Sequence, residues 1–220
     1  MRLSRRGSAA DALAECRRLL DQGLPEEYLA FTERASAQFP SDADVRLEYA
    51  TALVASRPKQ AGVEALDAVE LDGREDAVRL SRAASLLVSA RQLDAARSCA
   101  ERAARAAPAL SAPVSTVIES ELFRVRGEIA ALEDDYALAE RELRSGHEIT
   151  PGDPSIARDL AAVLAGGRRF DEALPVIDRT LDAPPISGAG AARSRHNLRE
   201  LRERIEADRR SLGESGTADG

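Results

Sequence analysis

The side chains able to do chemistry in this sequence are two histidines, two cysteines and a large population of carboxylates and guanidiniums. Neither His147 nor His196 has a second His or Cys at metal-ligand spacing on its own helix, so both read as solvent-exposed polar residues rather than ligands. Cys16 and Cys99 stand 83 residues apart, a spacing of neither a metal site nor a redox pair, and each lies among helical apolar residues, which predicts buried thiols. The adjacent acids Asp134 and Asp135 read as charges placed in the first turn of a helix, where its dipole favours them, and not as an acid/base pair. The glycines of SGAGAARS, residues 187–194, lack the Lys-Ser/Thr ending and the preceding strand of a phosphate loop, and the segment reads as a connector. Neither a nucleophile elbow nor a Ser-His-Asp set can be assigned. These residues predict no enzyme, no cofactor and no metal.

Charge and composition narrow the partner. A formal charge of -7 argues against general attraction to phosphate backbones or anionic lipid. The C-terminal segment holds seven arginines between Arg193 and Arg210 against four acids, but it carries no interleaved aromatics, and its alternating signs read as a solvated helix face rather than a nucleic-acid surface. Lys59 is the only lysine, a bias that fits a GC-rich genome. The N-terminus lacks the apolar run of a signal peptide and no stretch is long enough to span a bilayer, so the expected location is the cytoplasm. With aromatic residues at 3% and no Trp, the 44% of hydrophobic residues must pack as many small contacts between close helices.

The elements that hold these residues follow from an internal period. Pro40, Pro108, Pro151 and Pro185 each close an apolar helical stretch, at separations of 68, 43 and 34. These are two periods of 34, one period with nine extra residues, and one period; Gly73-Arg74 stands where the missing Pro would fall. Five units result, ending near 40, 74, 108, 151 and 185. In that register the eighth place holds Cys16, Ala50, Ala84, Gly127 and Ala161, and the eleventh Leu19, Leu53, Leu87, Ala130 and Leu164. The twentieth holds Tyr28, Gly62, Ala96, Ala139 and Ala173, and the twenty-seventh Ala35, Val69, Ala103, Gly146 and Thr180. Small residues at matching places predict two helices per unit in close contact, with Tyr28 the exception.

The fifth unit illustrates the pattern: a helix from Pro154 to Gly166, N-capped by Asp153, a Gly167-Arg168-Arg169 turn, and a helix from Phe170 to Leu181 with Asp171 and Glu172 in its first turn. The array is expected to occupy residues 1–187. Residues 188–212 then form a linker and a capping helix with Leu198, Leu201, Ile205 and Leu212 as its apolar stripe, supported by Glu200–Arg204 and Glu206–Arg210 pairs. Residues 213–220 form a disordered tail. The nine extra residues, 109–117, give either a loop on one face or a lengthened helix start.

These residues resemble the tetratricopeptide (TPR) repeats of bacterial proteins. The resemblance rests on Phe123, Gly127, Tyr136, Ala139, Leu143 and Pro151 in unit four and on Leu160, Ala161, Leu164, Phe170, Ala173, Ile177 and Pro185 in unit five, where FDEAL from Phe170 matches the usual start of a second helix. Unit three follows with Leu80, Ala84, Leu93, Ala96, Ala103 and Pro108, while units one and two are degenerate. The family implies an all-α, right-handed superhelical solenoid of antiparallel helix hairpins with about eleven helices, and a concave groove lined by each first helix.

Carried over residue by residue, the groove places are Arg17; Asp44 and Thr51; Ser81, Ser85 and Ser89 with Arg82 beside them; Glu121, Arg124 and Glu128; and Arg158. Their guanidiniums would receive carboxylates or phosphate, unless they form ion pairs on a solvated face. The Lys and Asn of a chaperone carboxylate clamp are absent from these places. The expected function is a protein-binding adaptor or scaffold that holds a peptide or partner segment. The alternative is a regulatory or peptide-sensing module acting on a transcription or signalling partner, and the N-terminal edge leaves self-association open.

Overall fold

A computed structural model of the protein describes residues 7–56, 59–67, 69, 77–184 and 191–216. Among them are eleven α-helices and no strand: α1 (Ala9–Asp21), α2 (Pro25–Gln38), α3 (Ala43–Ala55), α4 (Lys59–Asp67), α5 (Ala77–Ser89), α6 (Leu93–Ala106), α7 (Ala112–Leu132), α8 (Tyr136–Ile149), α9 (Pro154–Gly166), α10 (Phe170–Asp182) and α11 (Ala191–Gly216). The chain divides into two compact units, residues 1–118 and 119–220.

In the first unit consecutive helices pack as the hairpins α1–α2, α3–α4 and α5–α6, α2 packs on α3, and the first helices α1, α3 and α5 touch in turn. Its core includes Ala12, Cys16, Leu19, Tyr28, Phe31, Ala35, Val45 and Ala52. In the second unit α8 packs on α9, α9 pairs with α10, and α11 lies against both α9 and α10. Here Leu143, Ala157, Leu160, Ala161, Leu164, Ala173, Ile177, Leu198 and Ile205 form one buried cluster. α11 thus stands to α9 and α10 as the first helix of a further repeat would.

The small residues sit where backbones nearly touch. A Cβ added to Gly127 would lie 2.6 Å from Leu143 Cγ and 3.2 Å from the Ala139 carbonyl, and one added to Gly62 would lie 2.5 Å from Val54 Cγ2 and 3.1 Å from the Ala50 carbonyl. The eighth place of a first helix therefore abuts the twentieth of its partner. The twenty-seventh place closes on the start of the first helix, since a Cβ on Gly146 would meet Phe123 Cβ and the Ser120 carbonyl, each at 3.1 Å. Thr180 tolerates a hydroxyl at that place because its Oγ1 donates to the carbonyls of Pro151, at 2.9 Å, and Val176, at 3.0 Å.

Among the described residues, four first helices end alike. Gly23, Arg91, Asp134 and Arg168 occupy one place of the repeat and all have left-handed backbone, with φ of 67°, 61°, 63° and 58°. The next residue in each case donates its N–H back to the eleventh-place carbonyl, Leu19, Leu87, Ala130 or Leu164, at 2.8–3.1 Å. This Schellman closure favours glycine, yet three non-glycine residues adopt it. First helices begin with side-chain caps at Ser8, Asp42 and Asp153, and Asp135 caps α8 by accepting the Leu138 N–H. Asp134 and Asp135 accordingly precede the first turn of α8 instead of lying in it.

Residues 109–117 do not form a long loop. Ala107–Ala109 is one 3₁₀ turn and α7 already starts at Ala112, which makes it 21 residues long against 13 in α9. The extra residues lengthen the start of a first helix. α11 runs to Gly216, so helix continues into the segment expected to be a disordered tail. The unit end at Gly73-Arg74, Pro185, the glycines of the connector and residues 217–220 lie outside the described residues.

Candidate functional site

The charged first-helix residues are tied into two separate clusters, one in each unit. In the first, Asp44 on α3 accepts both Nε and Nη2 of Arg79 on α5 at 2.8 Å, and Glu48, one turn further along α3, accepts Arg82 Nη2 at 2.5 Å. Tyr28 on α2 adds a third helix, its hydroxyl donating to Glu48 Oε2 at 2.6 Å. The hydrogen bonds from Arg79 hold the Asp44 carboxyl below the usual carboxylate range. Burial, and then the Glu48 carboxylate, pushes the Tyr28 phenol well above its ordinary value, so it stays a donor.

In the second cluster Arg124 on α7 is buried and surrounded by acids. It donates Nε and Nη2 to both oxygens of Glu121 at 2.8 and 2.6 Å, Nη1 to Glu128 at 2.5 Å, and Nη1 to Asp159 on α9 at 3.5 Å. Burial opposes its charge, but Glu121, Glu128 and Asp159 outweigh that and hold the guanidinium protonated well above its ordinary range. Arg158 donates Nε and Nη2 to Asp159 at 2.8 and 2.7 Å and lies 3.9 Å from Glu128. Burial pushes the Glu128 carboxyl up to about 8; Arg124 pulls the other way, and the neighbouring Asp159 carboxylate adds to the rise.

The expected groove residues are thus placed as follows. Arg17 is exposed on α1, and Arg158 is exposed on α9. Ser81 is buried at 2% exposure, while Ser85 is half-buried and donates to the Ser81 carbonyl at 3.2 Å. Arg82 joins Glu48, and Arg124 joins Glu128 and Arg158 around Asp159. Arg82, Arg124 and Arg158 therefore already have acidic side chains of the chain as partners. Glu48, Arg79 and Asp159 belong to these clusters although sequence reasoning did not select them. Their signal was opposite charge one repeat apart on first helices: Glu48 and Arg82 are 34 residues apart, Asp44 and Arg79 35, Arg124 and Asp159 35.

The arginines of α11 are partly consumed as well. Arg195 donates to the carbonyls of Thr180 at 3.0 Å, Ala183 at 3.3 Å and Leu181, which satisfies the C-terminal end of α10. Arg202 pairs with Asp178 at 2.6 Å, and Arg209 with Asp171 at 2.8 Å. The expected Glu206–Arg210 pair does not form as such: the Glu206 carboxylate accepts Arg202, and Arg210 donates to the Glu206 backbone carbonyl. Glu200 lies 3.4 Å from His196.

The nucleophile candidates lack activation. Burial, and then Glu48, pushes the buried Cys16 thiol up to about 12, and burial raises the half-buried Cys99 in the same direction. His147 is not solvent-exposed: it is 5% exposed, and neither ring nitrogen has a hydrogen-bond partner. Its apolar repeat neighbours, which drive the end of α8 against α9, outweigh the polarity of the ring. Among the described residues no three metal-ligating side chains cluster, and no helix is long and apolar enough to cross a membrane.

No protein-family model matches the sequence, and no characterised protein matches it by sequence. Solved structures do match it in shape. A thermophilic TPR protein of Thermus thermophilus, TTC0263, aligns at a TM-score of 0.60 and 20% identity, over 91% of this chain and 100% of that one. Pseudomonas aeruginosa pilF aligns at a TM-score of 0.60 and 15% identity, over 93% of this chain and 90% of that one. The hairpin pairing, the small residues at the eighth and twentieth places and these likenesses agree: the chain has the fold of the tetratricopeptide-repeat proteins.

Proposed function

We propose that this protein is a non-enzymatic adaptor or scaffold that holds a peptide or partner segment along the exposed faces of its first helices. The observation that carries the reading is a division of labour on those helices. Their small and apolar residues go into helix packing, while Asp44, Arg79 and Arg82 in one unit, and Glu121, Glu128 and Arg158 in the other, leave partly exposed hydrogen-bonding groups held in place by the more buried Glu48, Arg124 and Asp159. Ion pairs that hold each other in place lose little side-chain freedom when a partner docks, which favours specificity over raw affinity. The TPR fold supports the same reading.

Arg17, Ser85 and Arg158 are the contact residues to test, because they are exposed or half-buried, whereas Arg124→Glu would remove the one buried cation among Glu121, Glu128 and Asp159 and destabilise its helix pair. Arg17→Ala, Ser85→Arg and Arg158→Ala should fold with wild-type helicity and weaken capture of a partner from extract of the source cells. Undiminished capture by all three folded variants contradicts the proposal.

A further inference from the structure

We propose that His147 makes the packing of α8 against α9 and α10 acid-sensitive, because its imidazole is buried with both ring nitrogens unpaired and can accept a proton only when that packing opens. His147 lies in the last turn of α8, next to Gly146, whose Cβ position is 3.1 Å from Phe123 Cβ and the Ser120 carbonyl and 3.5 Å from Ile156 Cδ1. Gly146 thus seats this end of α8 on α7 and α9, and the adjacent His147 ring is itself buried. At 5% exposure the ring is shielded from bulk solvent and no side chain or backbone group pairs with either nitrogen, so burial disfavours the charged ring far more than the neutral one.

The charges around the ring do not rescue the cation. Arg144 and Glu148 come from its own helix, Asp153 from the N-cap of α9 and Arg179 from α10, while α7 brings Ser120 and Phe123 to the neighbouring Gly146. Asp153 is the natural counter-ion, but its Oδ1 already accepts the N–H groups of Ser155, at 2.8 Å, and Ile156, at 3.4 Å, as the cap of α9. Burial first, and then Arg179, draws the imidazole below its ordinary value. In the unfolded or opened state the ring titrates normally and binds more protons than in the packed state. Stability from this group is therefore complete above its ordinary value, near pH 6.5, and is lost as pH falls through and below it. The inference is independent of what the first-helix faces hold.

Thermal melts between pH 7.5 and 5.0 test it on the full chain, with His147→Leu and His147→Gln beside wild type and His196→Gln as the exposed control. The expected result is that wild type and His196→Gln lose more Tm on acidification than either His147 variant, by roughly 3 °C or more for a chain of this size. Carboxylates remote from both histidines contribute alike to all four proteins, and agreement between His147→Leu and His147→Gln separates the ring from its acidic neighbours Asp153 and Glu148. Hydrogen exchange should place the acid-induced opening in α8 and the start of α9, in wild type and not in the His147 variants. A histidine-ring NMR titration of wild type needs no variant, and it should show the His147 ring titrating below the ordinary imidazole value. Equal acid loss in wild type and both His147 variants, or a His147 ring that titrates at or above the ordinary imidazole value, overturns the inference.

Discussion

Tyr28 on α2 donates its hydroxyl to Glu48 on α3 at 2.6 Å, and Arg82 on α5 binds the other oxygen of the same carboxylate. One buried phenol thus joins two repeats at a place where the sequence pattern asks for a small residue. Its ring lies in the core of the first unit at 3% exposure, beside Cys16 and Phe31.

The first prediction follows from that bond. Tyr28→Phe should cost about 1.5–3 kcal/mol, because it removes a hydrogen bond to a charged group. Tyr28→Ala, which restores the usual residue, should destabilise by roughly 3–5 kcal/mol through the cavity it leaves. Urea denaturation of the two variants checks both values. If Tyr28→Ala is as stable as wild type, Tyr28 is not part of the core.

Two glycines separate steric need from conformational accident. Gly127→Ala drives a Cβ to 2.6 Å from Leu143 Cγ and should destabilise by about 1–3 kcal/mol. Gly166→Ala meets nothing within 4 Å and should stabilise by roughly 0.5–1 kcal/mol through reduced chain entropy. Thermal melts of the pair should therefore move in opposite directions, and a shift in the same direction would show that close approach does not explain Gly127.

Glu128 gives a pH dependence of opposite sign to that of His147. Its folded carboxyl is pushed up to about 8, whereas an unfolded glutamate titrates near 4.3. Between those values the folded protein keeps a proton that the unfolded chain releases, so this contribution falls as pH rises. Glu128→Gln should become increasingly stable relative to wild type from pH 5 to pH 8, read from urea midpoints. Parallel pH profiles would place Glu128 in an ordinary ionised pair.

Much of the fold was legible because the repeat leaves a mark on side-chain size. The prolines and the small eighth, twentieth and twenty-seventh places gave the hairpins, and Asp153-Pro154 gave the start of α9 without error. The candidate site was harder to read. Arg124 looks the same in sequence whether it faces solvent or lies buried among Glu121, Glu128 and Asp159, since one of these contacts, Asp159, is on another helix 35 residues away. His147 was misread for a related reason: a lone polar residue at the end of an amphipathic helix is ordinarily exposed, and only the seating of α8 beside Ile156 and the Asp153 cap buries it. The left-handed residues Arg91, Asp134 and Arg168 escaped because their types give no sign of the conformation that Gly23 announces.

The central claim is that a partner lies on the first helices. Its most direct test is to place a photo-crosslinking amino acid at Arg17 or Arg158, exposed on α1 and α9, and in parallel at Glu101 or Arg141, exposed on the second helices α6 and α8, then irradiate in extract of the source cells. The account predicts that a protein is trapped from the first-helix position of a unit and not from the second-helix position of the same unit, from 17 and not 101 or from 158 and not 141. Trapping of that protein from 101 and 141 alone would put the binding surface on the second helices and contradict the account.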